Sequence, residues 1–436
     1  MEGLTNEGRG IAYFEGKTVF IRGAYLGERA RVRFVRADRN VLHAETESIL
    51  ELSPERVEPF CQHSGQCGGC DWQYLSQDRQ IELKQQLVLE LLAKFARCEP
   101  SQVLPPLMQS ERSYRYRAKL AVWNNASGER VLGFRESEGK SVVAIECCPV
   151  LSLGNQRSQT LLQQWLASNK IIHRIDQVDL LETKERCAVV LTLNANVDES
   201  ILKRLHELLN QESHLVDIWL SRKSKITYFN PVISAEGDPD TSPSYLLSLD
   251  HLELSLDFSP TDFIQANQSL NSKMVHQAVN LLASYVPNPK IAHVLDLFCG
   301  IGNFSLALAR IFGAVTGVEL SDSMVEKARA NAIKSGIENA SFVAENLQDN
   351  QAQRAWVSTD IQGVLLDPPR SGAKEILPLI EKLKVPVLVY VSCNPVTFVR
   401  DAAYLLDHGY KLDKFGLIDM FTHTHHSEVM ASFVLA

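Results

Sequence analysis

Cys393 stands in the run Val389-Tyr390-Val391-Ser392-Cys393-Asn394-Pro395, after apolar residues that begin at Val385. Such a run reads as a buried strand stopped by a Pro-checked loop, and strand ends are where open α/β sheets carry their chemistry. A carboxylate, Glu428, follows in His426-Ser427-Glu428-Val429. A thiolate can add to an electron-poor ring carbon, and a carboxylate can then take a proton from the adduct. The pair therefore suits covalent catalysis. An isolated cysteine is more often a small buried hydrophobe, and a lone glutamate a solvated group. The neighbouring motifs weigh against both readings.

Those motifs belong to the elements that must position the pair. Val294-Leu295-Asp296-Leu297-Phe298-Cys299-Gly300-Ile301-Gly302-Asn303-Phe304 has the strand, glycine loop and helix start of a nucleotide-type cofactor site. Ser305 occupies the place of the third glycine in a dinucleotide fingerprint, which argues against NAD. Glu319 closes the next strand and is placed to accept from ribose hydroxyls, and Asn346 follows the third strand, where an adenine edge could be read. S-Adenosylmethionine, with ribose and adenine but no pyrophosphate, fits these residues better. The rhythm from residue 261 predicts strands over 293–298, 314–319, 340–344, 363–367 and 385–392, with helices over 304–311 and 323–335. The expected fold class is α/β, a doubly wound parallel sheet of the Rossmann-like methyltransferase kind.

Asp367-Pro368-Pro369-Arg370 ends the fourth strand. Methylases of exocyclic amines commonly carry a related motif with an aromatic residue next; here the next residue is Arg370, and a cysteine lies nearby. That combination points to methylation of carbon. Position 5 of a pyrimidine is too weak a nucleophile to attack a sulfonium methyl directly. Addition of a thiolate at position 6 creates the electron density it lacks. Removal of the position-5 proton then releases the cysteine.

The remaining sequence bounds the setting. A chain of 436 residues with 45% hydrophobic and 22% charged content has material for two or three soluble domains. No apolar run approaches the roughly 18 residues of a membrane span, and the start lacks the basic and apolar regions of a signal peptide; the expected compartment is cytoplasmic. A net charge of −8 speaks mildly against a nucleic-acid partner, but the basic residues are segregated. Arginines 22, 29, 31, 33, 36 and 39 face only Glu28 and Asp38, and Arg112, Arg115, Arg117 and Lys119 are interleaved with Tyr114 and Tyr116. Solvated strand faces would account for either cluster alone; together they keep RNA in play. Nine cysteines in such a chain are not a disulfide framework. Cys61, Cys67 and Cys70 are spaced C-x5-C-x2-C, Cys147 and Cys148 precede Pro149, and Cys98, Cys187 and Cys299 look isolated. The composition divides the chain at 1–53 (a small β-barrel), 54–260 (α+β, with the cysteine-rich loop and an amphipathic helix over 76–97) and 261–436 (the cofactor domain).

In order along nearly the whole chain come Gly8-Arg9-Gly10-Ile11-Ala12, Cys67-Gly68-Gly69-Cys70, Phe263-Ile264-Gln265-Ala266-Asn267, the cofactor loop, Asp367-Pro368-Pro369-Arg370, Ser392-Cys393-Asn394-Pro395 and His426-Ser427-Glu428-Val429. On these residues the chain resembles the bacterial 23S ribosomal RNA uracil-5-methyltransferases of the RlmD (RumA) type. The resemblance implies a TRAM-like (OB-like) RNA-binding barrel, Cys393 as nucleophile and Glu428 as base. It implies contacts to cofactor or base from Gln265, Phe298, Asn303, Glu319, Asn346 and Asp367. It also implies a [4Fe-4S] cluster on Cys61, Cys67, Cys70 and a cysteine preceding proline, here Cys148, with Cys147 as an extra neighbour. Four thiolates would equally suit Zn²⁺. The chain starts close to the barrel's glycine motif, so the first strand usual in that module is expected to be short or missing.

The function so implied is S-adenosylmethionine-dependent formation of 5-methyluridine in 23S rRNA by a monomer, on a uridine displaced from its stack. The same chemistry on tRNA or on another rRNA uridine is the nearest alternative. A non-catalytic RNA-binding or iron–sulfur sensor protein is the alternative of another class, although binding alone requires none of Cys393, Glu428 and Asp367. Cytosine-5 methylation is a third; that family normally shows a Pro-Cys motif and a second active-site cysteine.

Overall fold

The structure is a computed structural model, and it describes all residues except 6–7, 138, 170, 212–214, 223–224, 230–242, 350–353, 355 and 358–359. Residues near the start form a five-stranded sheet in the order Gly3–Leu4, Gly10–Phe14, Lys17–Arg22, Val41–Glu51, Arg29–Ala37. Its first strand is two residues long, paired with Gly10 and Ile11. The core of this small barrel is slight: Val19, Ile21, Ala24 and Ala44. The arginine-rich strand Arg29–Ala37 is almost wholly exposed. Its polar and apolar residues alternate, so one face can pack while the other carries charge.

The second sheet has seven strands, from Lys225–Phe229 at one edge through Val216–Arg222, Cys187–Leu193, Ile175–Glu182, Arg117–Asn124 and Arg130–Arg135 to Val142–Ala144. Helices Leu153–Asn169 and Glu199–Leu209 share its core. The second helix buries Leu202, Leu205 and Leu209, one stripe at helical spacing, and Asp198 caps it by accepting from the Ser200 amide at 2.8 Å.

The third sheet holds the cofactor motif. Its strands are β1 (His293–Leu297), β2 (Ala314–Glu319), β3 (Ala340–Ala344), β4 (Ile361–Leu366), β5 (Val387–Ser392), β6 (Tyr410–Ile418) and β7 (Glu428–Leu435), in the order β3-β2-β1-β4-β5-β7-β6, and the short strand Gln102–Val103 adds to the edge, parallel to β6. β5 is buried at every residue, as a strand covered on both faces must be. The first five strands run parallel, but β7 enters antiparallel between β5 and β6. The five strands expected to be parallel are so, and the last hairpin lies outside that expectation. Its long connection, residues 419–427, carries no turn signal, and nothing in the local periodicity of β7 reveals its direction. Among the described residues no helix is long and apolar enough to cross a membrane.

Helix α1 (Gln77–Leu91) closes the other side of this sheet, with helix α2 (Gln268–Ala283) and helix α3 (Pro395–Asp407) also packed on it. The helix expected over 76–97 is α-helical to Leu91, widens to a π turn over Leu92–Ala96 and stops at Arg97, whose φ of 53° no α-helix continues. Ile81, Val88 and Leu92 join Phe398, Phe415 and Leu417 in one core. In the middle of this apolar contact Lys84 meets Asp419 at 2.7 Å, both side chains fully buried. Breaking such a pair from one side leaves an uncompensated charge. Lys84→Met should therefore lower unfolding free energy by about 3–5 kcal/mol, read by urea denaturation, and a second change, Asp419→Leu, should recover part of it.

Candidate active site

The cofactor loop leaves β1 through three left-handed residues, Phe298 (φ 70°), Gly300 (φ 56°) and Gly302 (φ 94°). The amides of Phe298 and Cys299 donate to the Val318 carbonyl at 2.8 and 3.1 Å, pinning the loop to β2. Glu319, at the end of β2, accepts from the Gly300 amide at 3.2 Å and from the Ser321 amide at 3.1 Å. Beneath the loop lies Asp296, fully buried. One of its oxygens accepts from the Ser305 hydroxyl at 2.5 Å, and the other has no hydrogen-bond partner among the described residues. Burial pushes the Asp296 carboxyl up to about 7. Ser305 thus has a use of its own where a dinucleotide site would carry glycine: its hydroxyl holds the buried acid.

The predicted cofactor residues divide by what their side chains do. Glu319, Asn346 and Asp367 stand at or just past the carboxyl ends of β2, β3 and β4, on the same edge as the loop after β1. Asn346 is exposed and its carbonyl oxygen accepts from the Gln348 amide at 3.0 Å. Asn303 is engaged elsewhere, in a reciprocal amide pair with Asn271 of α2, 3.0 Å in both directions; it ties the loop to α2. Gln265 lines a cleft between the second and third sheets, together with Phe263, Arg117, Arg370 and His426.

The place of Cys393 is set by strand pairing. β5 pairs with β7 up to Ser392 opposite Val429. One step further along each strand come Cys393 and Glu428, so the antiparallel register brings thiol and carboxyl side by side. Asn394 caps α3 by accepting from the Val396 amide at 3.1 Å and donates to the Arg370 carbonyl at 2.8 Å. Thr397 donates to the same carbonyl at 3.2 Å. The loops after β4 and β5 are therefore one hydrogen-bonded unit.

Electrostatics follow from this crowding. Glu428 is 2% exposed, one of its oxygens has no partner among the described residues, and burial with Asp367 nearby pushes its carboxyl up to about 8. Burial, reinforced by Asp296, brings Asp367 to about 7. The Cys393 thiol is raised by burial and then by Glu428 and Asp367, while Arg370 pulls the other way. A string of carboxyls thus runs from the cofactor loop to Cys393. With two unpartnered buried oxygens, it is an environment that favours a cationic ligand.

Cys61, Cys67, Cys70 and Cys148 line one small cavity with Arg115, Phe134, Ile145 and Val150. Burial raises the Cys70 thiol to about 12 and that of Cys148 to about 11. Cys147 is exposed, with its thiol 3.8 Å from the Gln156 side-chain Oε1. Among the described residues no three His, Cys, Asp or Glu side chains are grouped as they would be around one metal ion.

Asp71, His425 and His426 were not legible as site residues. His425 and His426 line one pocket with Cys393 and Arg370 and also the cleft that holds Gln265. Asp71 pairs with His425 from far away in the chain. The only sequence signal was the place of the two histidines just ahead of Glu428.

Comparison with known proteins agrees with this geometry. Residues 76–434 match the family model described as tRNA (Uracil-5-)-methyltransferase, and residues 1–46 match the TRAM domain. A protein named 23S rRNA (uracil(1939)-C(5))-methyltransferase RlmD from Shewanella sediminis (strain HAW-EB3) is 39% identical over 99% of this chain and 94% of the relative. One of the same name from Pseudomonas fluorescens (strain Pf0-1) is 37% identical over 99% and 90%. The crystal structure of Pyrococcus abyssi tRNA (uracil-54, C5)-methyltransferase in complex with S-adenosyl-L-homocysteine shares the fold, with a TM-score of 0.72 and 23% identity over 99% of each chain. The family model covers most of the chain and the named relatives nearly all of it, and so the chain belongs to the RNA uracil-5-methyltransferase family.

Proposed function

We propose that this protein transfers a methyl group from S-adenosylmethionine to carbon 5 of a uridine in 23S rRNA. The observation that carries the reading is the register that sets Cys393 beside Glu428 at the carboxyl edge of the cofactor sheet. The substrate class rests on the relatives of that name, which match along nearly the whole chain.

S-Adenosylmethionine supplies an electrophilic methyl on a sulfonium, whose positive charge suits the acids Asp296, Asp367 and Glu319. Cys393, as thiolate, adds to carbon 6 of the uracil, and the ring's electron pair moves to carbon 5 and the carbonyl at position 4. Carbon 5 takes the methyl group, and the sulfonium electrons return to sulfur as S-adenosylhomocysteine. Glu428 then removes the proton from carbon 5. The carbon 5–carbon 6 double bond re-forms, and the carbon–sulfur bond breaks with its electrons on Cys393.

Three concave surfaces support an RNA route. The groove beside the barrel contains Arg9, Arg22 and Arg56, the cleft contains Arg115, Arg117 and Lys119, and the nucleophile pocket contains Arg370. His425 lines all three. Exposed Phe263 offers a flat face for a displaced base.

Cys61, Cys67, Cys70 and Cys148 line one cavity, a four-thiolate set of the kind that holds an iron–sulfur cluster or Zn²⁺, and the resemblance to the cluster-bearing methyltransferases favours iron. We assign Cys61, Cys67, Cys70 and Cys148 as ligands of a [4Fe-4S] cluster; such a cluster would hold these loops together.

The test is methyl transfer from labelled S-adenosylmethionine to unmodified 23S rRNA, with 16S rRNA and tRNA in parallel, using anaerobically purified protein of measured metal content. 5-Methyluridine in 23S rRNA alone is the expected result. Label in tRNA instead would replace the substrate and keep the chemistry, and a colourless zinc protein would overturn the cluster.

A further inference from the structure

The segment 419–427, which connects β6 to Glu428, is held along its length by residues from a distant part of the chain. Lys84 donates to Asp419 at 2.7 Å and to the Phe421 carbonyl at 3.1 Å. The Tyr114 hydroxyl donates to the Thr422 carbonyl at 2.8 Å. His423 has φ 67° and is buried. Its amide donates to Gln80 at 2.8 Å, its carbonyl accepts from the Trp72 amide at 2.9 Å, and Phe60 meets its ring edge-on at 5.0 Å. A bulky residue keeps a left-handed conformation only where its surroundings over-determine it.

The last of these tethers before the base is Asp71. Its Oδ1 accepts from the His425 amide at 3.1 Å, and its Oδ2 lies 2.5 Å from His425 Nδ1. Asp71 follows Cys70 directly, and Trp72 follows Asp71. The cysteine loop and the base loop therefore meet at two neighbouring points: consecutive Asp71 and Trp72 hold His425 and His423, which are two residues apart. His425 in turn packs on His426, with ring centroids 4.3 Å apart, and His426 lines the pocket of Cys393.

We propose that Asp71 is a positioning residue for Glu428, transmitting the placement of the cysteine loop to the catalytic base through His425. The inference rests on the reading of Glu428 as the base. It assigns the cysteine site a role in the second half of the reaction: the loop that the site anchors fixes where proton removal occurs. The contact holds the segment that leads into Glu428, not the strand end that carries Cys393, so proton removal is expected to suffer far more than addition to carbon 6.

The experiment compares Asp71→Ala, Asp71→Asn and His425→Ala with the parent protein, each checked first for visible absorbance, iron content and S-adenosylmethionine affinity. Single-turnover reactions on RNA then follow the protein–RNA adduct on denaturing gels. In Asp71→Ala the adduct should form at close to the parent rate and resolve roughly 10- to 100-fold more slowly. Asp71→Asn should restore part of the resolution rate, because its amide oxygen can still accept from the His425 amide. Resolution at the parent rate in Asp71→Ala with the cysteine site filled would overturn the proposal. Equal slowing of adduct formation and resolution would overturn it too, because that is what loss of RNA binding or of general stability produces. RNA containing 5-fluorouridine, whose fluorine no base can remove as a cation, is the control on the parent protein. No trapped adduct there would bring down the Cys393 reading, and this proposal with it.

Discussion

Cys393→Ala should lose methyl transfer by roughly 10⁴-fold or more and form no covalent RNA adduct, while S-adenosylmethionine affinity stays within a few-fold of the parent. The size of the effect follows from the ring. Without addition at carbon 6, carbon 5 carries too little electron density to displace a sulfonium methyl, and no other group near the site replaces a thiolate. Asp367 and Glu428 cannot, since both are pushed toward their neutral forms. The fold should survive the change, because Cys393 is only half-buried and Asn394, not the thiol, makes the bonds that hold the loop. Retention of the adduct in this variant would show that another group is the nucleophile.

Glu428→Gln should methylate once and then stall, so that adduct accumulates while the steady-state rate falls about 10²- to 10⁴-fold, the usual contribution of a positioned base. Glutamine keeps the size of the side chain in a buried space but cannot take the proton. The wild-type pH profile carries a matching sign. With its carboxyl pushed up to about 8, Glu428 is mostly protonated at pH 6 and becomes a competent base only as the pH rises through that value. Resolution of the adduct should therefore speed up from pH 6 to about pH 9, and in Glu428→Gln that dependence should disappear. Adduct formation should keep its own rise with pH, because the Cys393 thiol is also raised. Stability runs the other way. The folded protein holds a proton on Glu428 that the unfolded chain, with an ordinary carboxyl near 4.5, has already released. This contribution is present at pH 4.5 and is lost as the pH rises toward 8. Normal turnover by Glu428→Gln would remove the base assignment.

Much of this architecture could be read along the chain because it is written locally. The strands Ala314–Glu319 and Ala340–Ala344 end where their apolar runs end. Cys393 and Glu428 flank short motifs that need no partner to be noticed. The expected strand over 385–392 begins two residues late, at Val387, after Pro386, which lacks an amide to give to a ladder. What could not be read depends on distance. The antiparallel entry of β7 is a pairing choice between strands, and residue pattern does not encode partner direction. The place of α1 on the cofactor sheet rests on Lys84 and Asp419, 335 residues apart, and the Asp71–His425 contact spans 354. The resemblance implies Asn303 as a contact to cofactor or base; that its amide pairs with Asn271, on another helix, is not written in the loop's own sequence. Ser305 read only as a missing glycine until the buried acid beneath it came into view.

The seat of α1 has a consequence for how the chain assembles. This helix leaves the ribosome early, with Ile81, Val88 and Leu92 exposed and a lysine that must end up dry. The surface that receives it, Phe398 on α3 with Phe415 and Leu417 on β6, is completed only when the last residues are made. Contacts of such sequence separation make folding slow and leave sticky intermediates in the meantime. The cofactor sheet therefore cannot be a self-sufficient module: expressed from residue 261 onward it would present an uncovered apolar face with Asp419 stranded at its centre.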